Sequence, residues 1–285
     1  MQLSEKGTWI HPTIDGDVGK IAIALSMGLG NFAVDATSRA YLASNGGLNF
    51  DIIKDGPQLG GMNDLKLGDV LLKQGGIDIE NNVKNVEKHG PGESVSLLID
   101  TAQIVTNRSN HKYVGAGLLG HAAIYVGEGK IAEAIGEGCK VRSLGTGYNA
   151  DFNFYAIRPH DGQFASKIAQ LAQHYASSGK ILYSYAGLIP AVIGGTAASR
   201  HPTKSFFEST PEKTENKRSE LDSGRKARMF CSEFVAFILN CAADDLSKQR
   251  VLAEAQNRIT PEEIYVTLRE NPNFSYAGEL RKHVR

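Results

Sequence analysis

The chain has little cysteine: three residues, Cys139, Cys231 and Cys241, in a length of 285. That is too few for a disulfide framework, and the odd count leaves at least one thiol outside any intramolecular bridge. It also lacks an excess of charge, with 31 Lys and Arg against 31 Asp and Glu. A balanced chain does not build a strong phosphate-binding surface, so nucleic acid is not the default partner. No apolar run reaches the ~20 residues of a bilayer span. The longest, Ile21 to Val34, is short and rich in glycine. The first residues, Met1 to Gly7, carry no basic region leading into an apolar core, so no secretory signal is expected. Metal catalysis and a bound cofactor are not expected either. Eight histidines and three cysteines show no CxxC or HExxH spacing. Gly115-Ala-Gly117-Leu-Leu-Gly120 runs into a strand instead of a helix, which sets aside a dinucleotide loop.

What is present is the composition of a soluble globular protein, 41% hydrophobic and 22% charged, long enough to bury roughly three quarters of its unfolded surface. Residues 1–64 read as an N-terminal helical segment. Ile21, Ala22, Leu25, Leu29 and Phe32 fall near helical spacing, and a second helical stretch, 34–44, ends at Asn45-Gly-Gly. Residues 65–285 read as the main domain. It starts with a strand over Asp69–Lys73, and an amphipathic helix is expected over Glu93–Asn107. A hairpin follows from Gly120, with strand runs Ala122–Val126 and Lys130–Ile135. Phe152–Arg158 reads as a further strand, and Gln163–Ser177 as a helix with Ile168, Leu171, Ala172 and Tyr175 inward. A loop insertion is expected at about 196–228. Its stretch 203–228 holds 12 charged residues among 26, which suggests an exposed loop. A helix over Cys231–Cys241 comes next. Thr260-Pro-Glu-Glu then carries an N-cap with proline at the first helical position.

Cys231 opens an apolar helix directly after that polar stretch. A helix N-terminus presents free N–H groups and a partial positive charge, both of which favour thiolate over thiol. Phe234, Val235 and Ile238 follow at helical spacing, so Cys231 shares the face that packs on the core. Ser232 and Glu233 suit the helix start, where an acid complements the dipole. Cys139 and Cys241 read as structural thiols. His121 follows Gly120 at the start of a strand, where packing alone does not call for an imidazole.

The hairpin supplies a geometric reason to add Glu133. If Gly127-Glu128 form a type I turn with Gly129 in the left-handed bulge position, Val126 pairs with Lys130. Ala123 then faces Glu133, and His121 faces Ile135. His121, Ala123 and Glu133 share one face, with Glu133 diagonal to His121. A four-residue turn would shift the parity and put Glu133 on the other face, with Glu137 as the fallback. The result is a Cys–His–Glu arrangement in which the cysteine attacks a carbonyl, the histidine moves the proton and the acid fixes the ring. The backbone N–H of Cys231 is one donor for the developing oxyanion, and the Tyr185 hydroxyl a weaker one.

At these residues the sequence resembles the papain-like NlpC superfamily of cysteine amidases, in its circularly permuted, YiiX-like branch. Leu67-Gly-Asp-Val resembles that family's first strand, and Gly120 to Ala134 its histidine hairpin. Phe230-Cys-Ser-Glu-Phe-Val is similar to its nucleophile helix, and Ile259-Thr-Pro-Glu-Glu-Ile to its closing segment. His before Cys is the permuted order. The resemblance implies an α+β papain-like fold, a small antiparallel sheet against the nucleophile helix. It implies Cys231 as nucleophile, His121 as base and Glu133 as third member. It also implies hydrolysis of an amide in peptidoglycan peptides. Without a Sec signal, synthesis in the cytoplasm and export by a specialised machine would be required, as for type VI secretion effectors, with an immunity or secretion partner. The other readings are a thiol acyltransferase of the retinol-acyltransferase-like branch and a non-catalytic binding module.

Overall fold

The computed structural model describes residues 2–3, 9–10, 57–74, 119–145, 153–184, 210–252 and 259–281. The chain divides into two compact units, Met1–Lys54 with Gly75–Gly120, and Asp55–Gln74 with His121–Arg285. The division differs from the expected boundary at 64/65, because Asp55–Gln74 belongs with the second unit and Gly75–Gly120 with the first. In the first unit, β1 (Gln2–Leu3) pairs antiparallel with β2 (Trp9–Ile10). The helices expected over 21–32, 34–44 and 93–107 lie outside the described residues.

The second unit is an α+β arrangement. Its sheet has the order β10-β7-β3-β4-β5-β6, built from β3 (Val70–Gln74), β4 (Leu119–Gly127), β5 (Lys130–Ile135), β6 (Gly138–Ser143), β7 (Phe154–Pro159) and β10 (Phe274–Leu280). Pairing is antiparallel at β10–β7, β7–β3, β4–β5 and β5–β6. A second, two-stranded parallel sheet joins β8 (Ile181–Tyr183) to β9 (Ala227–Met229). The described helices are α1 (Gly162–Ser177), α2 (Thr210–Asp222), α3 (Cys231–Asp245) and α4 (Pro261–Glu270).

The periodic segments fold as their patterns require. Ile168, Leu171, Ala172 and Tyr175 of α1 are buried, and Asp161 caps the helix by accepting from the Gln163 and Phe164 N–H groups at 2.8 and 3.1 Å. Thr260 and Glu263 form a reciprocal capping box on α4, with Pro261 at its start. In α3 every side chain from Cys231 to Ala243 is buried. A helix apolar on all sides must sit inside a layer, and α3 contacts α1, α2, α4 and β5. Burying Phe234 and Phe237 alone contributes about 2–3 kcal/mol each.

The charged stretch departs from expectation. Residues 210–222 are helical, not a loop. Thr214 and Leu221 are buried. Three of its charges find partners across the fold: Lys217 on Glu233, Arg218 on Asp245, and Asp222 on the Tyr175 hydroxyl. The density of charge marked an exposed face, and the helix it belongs to is held at its other side by packing.

Candidate active site

The β9 strand delivers the chain to Cys231. β9 pairs with β8 through Tyr183↔Met229, and Ser184 N–H donates to the Met229 carbonyl at 3.2 Å. Only Phe230 lies between β9 and the first residue of α3. The helix start is fixed from two further sides. The Ser232 hydroxyl donates to the Ile259 carbonyl at 2.7 Å, tying α3 to the lead into α4. The buried Glu233 carboxylate accepts from Phe230 N–H at 3.4 Å and pairs with Lys217 of α2. Phe230 has no side-chain acceptor, so only one half of a capping box forms here. Glu233 therefore does more than complement the dipole, because it also anchors α2.

His121 and Glu133 come from β4 and β5. Ala123 pairs with Glu133, Ile124 with Ala132 and Tyr125 with Ile131, the expected register. The turn that produces it is different. Glu128 and Gly129 both have positive φ, 54° and 66°, and Gly127 pairs with Lys130. These features mark a two-residue type I′ turn, not a type I turn with a bulge at Gly129. A bulge between Tyr125 and Gly127 on β4 restores the parity. If Val126 instead paired with Ile131 in an unbulged ladder, Ala123 would face Ala134 and Glu133 would point to the other side of the sheet. Gly127 takes φ 94° at the bulge, a backbone state that glycine adopts without strain.

The register brings His121 Nε2 to 2.8 Å from Glu133 Oε2. The His121 side chain is 12% exposed and that of Glu133 is 2%. Glu137 is not the partner: it is exposed in the β5–β6 turn and pairs with Lys140. Cys231 is 1% exposed and lies close enough to the His121 ring for each to shift the other's ionisation. With Nε2 committed to Glu133, Nδ1 is the ring nitrogen left for the thiol. Burial works against charge on both groups, yet their mutual attraction prevails. The His121 imidazole is raised to about 9 by the adjacent Cys231 and by Glu133, against that burial. The Cys231 thiol is lowered, against the upward push of burial, by the His121 charge and by the Ala122 and Ser232 backbone N–H groups. Both shifts run towards a thiolate–imidazolium pair backed by a carboxylate.

By contrast, burial raises the Cys139 thiol well above its ordinary range and pushes Cys241 up to about 12. Of the three cysteines, only Cys231 is shifted towards the thiolate. The Cys231 backbone N–H belongs to the first turn of α3, where the helix supplies no acceptor. Tyr185 lies outside the described residues. Among the described residues, no group of three His, Cys, Asp or Glu is gathered as a metal would require. No helix among them is long and apolar enough to cross a membrane. The Lys217 contact with Glu233 had no local signal in the sequence, since its partner lies in another element.

No family model, curated protein or solved structure matches the chain.

Proposed function

We propose that the chain is a cysteine-dependent hydrolase of amide bonds, built on a papain-like fold of the permuted NlpC type, with Cys231, His121 and Glu133 as its catalytic set. The observation that carries the reading is the buried chain of contacts from the Cys231 thiol through the His121 ring to Glu133. In this reading the Cys231 thiolate attacks the amide carbon, and the electron pair of the C=O moves onto oxygen. The Cys231 N–H stabilises that oxyanion. His121 gives its proton to the leaving amine, and the C–N bond breaks to leave a thioester. Water then adds with His121 as base, and the carboxylic acid departs as the thiolate re-forms. Glu133 holds the ring in one orientation and favours the imidazolium. Peptide bonds of peptidoglycan are the proposed substrate, reached through a specialised secretion route.

The test is limiting iodoacetamide across pH 5–9, with mass mapping, on the wild type and His121→Ala. The expected result is fast labelling confined to Cys231, with an apparent pKa below the ~8.5 of a free thiol, and loss of that labelling in His121→Ala. Slow labelling spread over Cys139, Cys231 and Cys241 and indifferent to His121 would overturn the reading. For the substrate, the periplasm-directed chain should lyse cells and its Cys231→Ala form should not.

A further inference from the structure

Glu133 turns Oε2 to His121, and its other oxygen, Oε1, lies 3.9 Å from Arg142 Nη1. The strand register explains why that cation stands there. On β6, Lys140 is the partner of Glu133 and Arg142 the partner of Ile131. Residues 131, 133, 140 and 142 therefore share one face, with Arg142 diagonal to Glu133. Lys140 is nearer along the ladder, but its ammonium is engaged by Glu137.

Glu133 is 1% exposed, and a carboxylate at that depth loses hydration that only charge or hydrogen bonds can replace. The His121 imidazolium provides this in the resting state. Once His121 hands its Nδ1 proton to the leaving group, the positive charge is gone and only the Nε2–H donation to Oε2 remains. A guanidinium does not titrate, so its charge persists through both states of the ring. We propose that Arg142 is a positioning residue of the reaction, keeping Glu133 a carboxylate and aiming Oε2 at His121 whether or not the ring is protonated. The inference rests on the catalytic reading of Cys231, His121 and Glu133. Other ionisable groups beside β5 include His121 of β4, Lys140 and Cys139 of β6, and Cys231 and Glu233 of α3, and α1 and β8 also pack against this strand.

The experiment uses full-length protein labelled with 13C at glutamate carboxyls. The resonance absent in Glu133→Gln identifies Glu133. Its titration midpoint should rise in Arg142→Gln and return in Arg142→Lys. An adjacent Arg lowers a carboxylate by one to three units. With Arg142 40% exposed, the lower end applies, a shift of about one unit. Iodoacetamide labelling of Cys231 at pH 7 should slow by up to about tenfold in Arg142→Gln and recover in Arg142→Lys. An unmoved Glu133 midpoint in a folded Arg142→Gln, or equal effects of Gln and Lys, would overturn the inference while leaving the catalytic reading intact. A wild type whose Cys231 is unreactive would instead remove the catalytic reading itself.

Discussion

The β4–β5 hairpin and the α2 helix both reach the first turn of α3, one through His121 and Cys231, the other through Lys217 and Glu233. They do so by opposite means. The hairpin is apolar and local: its strands are joined by two residues, and a single bulge decides which face Glu133 occupies. The α2 helix is charged and non-local, and its position follows from partners on α1 and α3. Chemistry is thus placed by backbone parity on one side and by ion pairing on the other. The two should fail differently.

Glu133→Ala breaks the hairpin side. It removes the acid that the bulge places on the face shared with His121, while the ladder keeps its pairing. Where an orienting acid is lost, rates fall by as much as about 10⁴-fold. A loss of at least about 10²-fold in Cys231 labelling at pH 7 is expected, with His121→Ala as the reference. Circular dichroism checks that the variant folds. Retention of the wild-type labelling rate in folded Glu133→Ala would show that the parity set by the bulge does not set the site.

Lys217→Met breaks the other side. Glu233, a carboxylate with its side chain 3% exposed, would lose its Lys217 partner. Breaking a buried pair at one end costs about 3–5 kcal/mol. The exposure of Lys217, 21%, favours the low end. Glu233→Gln in the same background removes that charge, so the double variant should regain most of the loss. Urea midpoints measure both. A double variant no more stable than Lys217→Met would mean that packing, not charge, holds α2.

The hairpin was legible in the sequence because its information is local. Alternation along Ala122–Val126 and Lys130–Ile135, with glycines between, limits the register to two parities, and one of them joins Glu133 to His121. The turn itself was not legible. The same Gly-Glu-Gly can form a type I turn with a bulge after it or a type I′ turn with a bulge before it, and both give Ala123↔Glu133. Cys231 was readable from its place between a polar stretch and an apolar run. The burial of α3 on all sides was also in its composition, Phe-Val-Ala-Phe-Ile-Leu having no polar face. The α2 helix was hidden because 12 charges in 26 residues look the same whether they meet water or Asp245, Glu233 and the Tyr175 hydroxyl. The edge strands β6 and β10 were missed for a related reason. Gly-Cys-Lys-Val-Arg-Ser and Phe-Ser-Tyr-Ala-Gly-Glu-Leu bury only part of their length, so their alternation is weak.

The smallest effect lies in the pH dependence of stability, where the two charges of the site work against each other. His121 is raised from 6.5 to about 9. Its contribution is therefore complete below 6.5 and is lost as pH rises towards 9. Cys231 is lowered from 9.0. Its contribution is complete above 9.0 and is lost as pH falls through its folded value. Where the folded pair is a zwitterion and the unfolded pair is neutral, both bind the same number of protons, so the two slopes cancel. Below 6.5 the unfolded histidine takes up a proton that the folded pair does not need, and stability rises with pH at up to about 1.4 kcal/mol per unit. Urea midpoints of the wild type relative to Cys231→Ser, from pH 5 to 9, should therefore climb on the acid side and level off before 9. A difference that stays flat between pH 5 and 7 would mean that Cys231 stays protonated in the folded chain. The hairpin would then present His121 to a thiol, and the parity set by the bulge at Gly127 would serve packing alone.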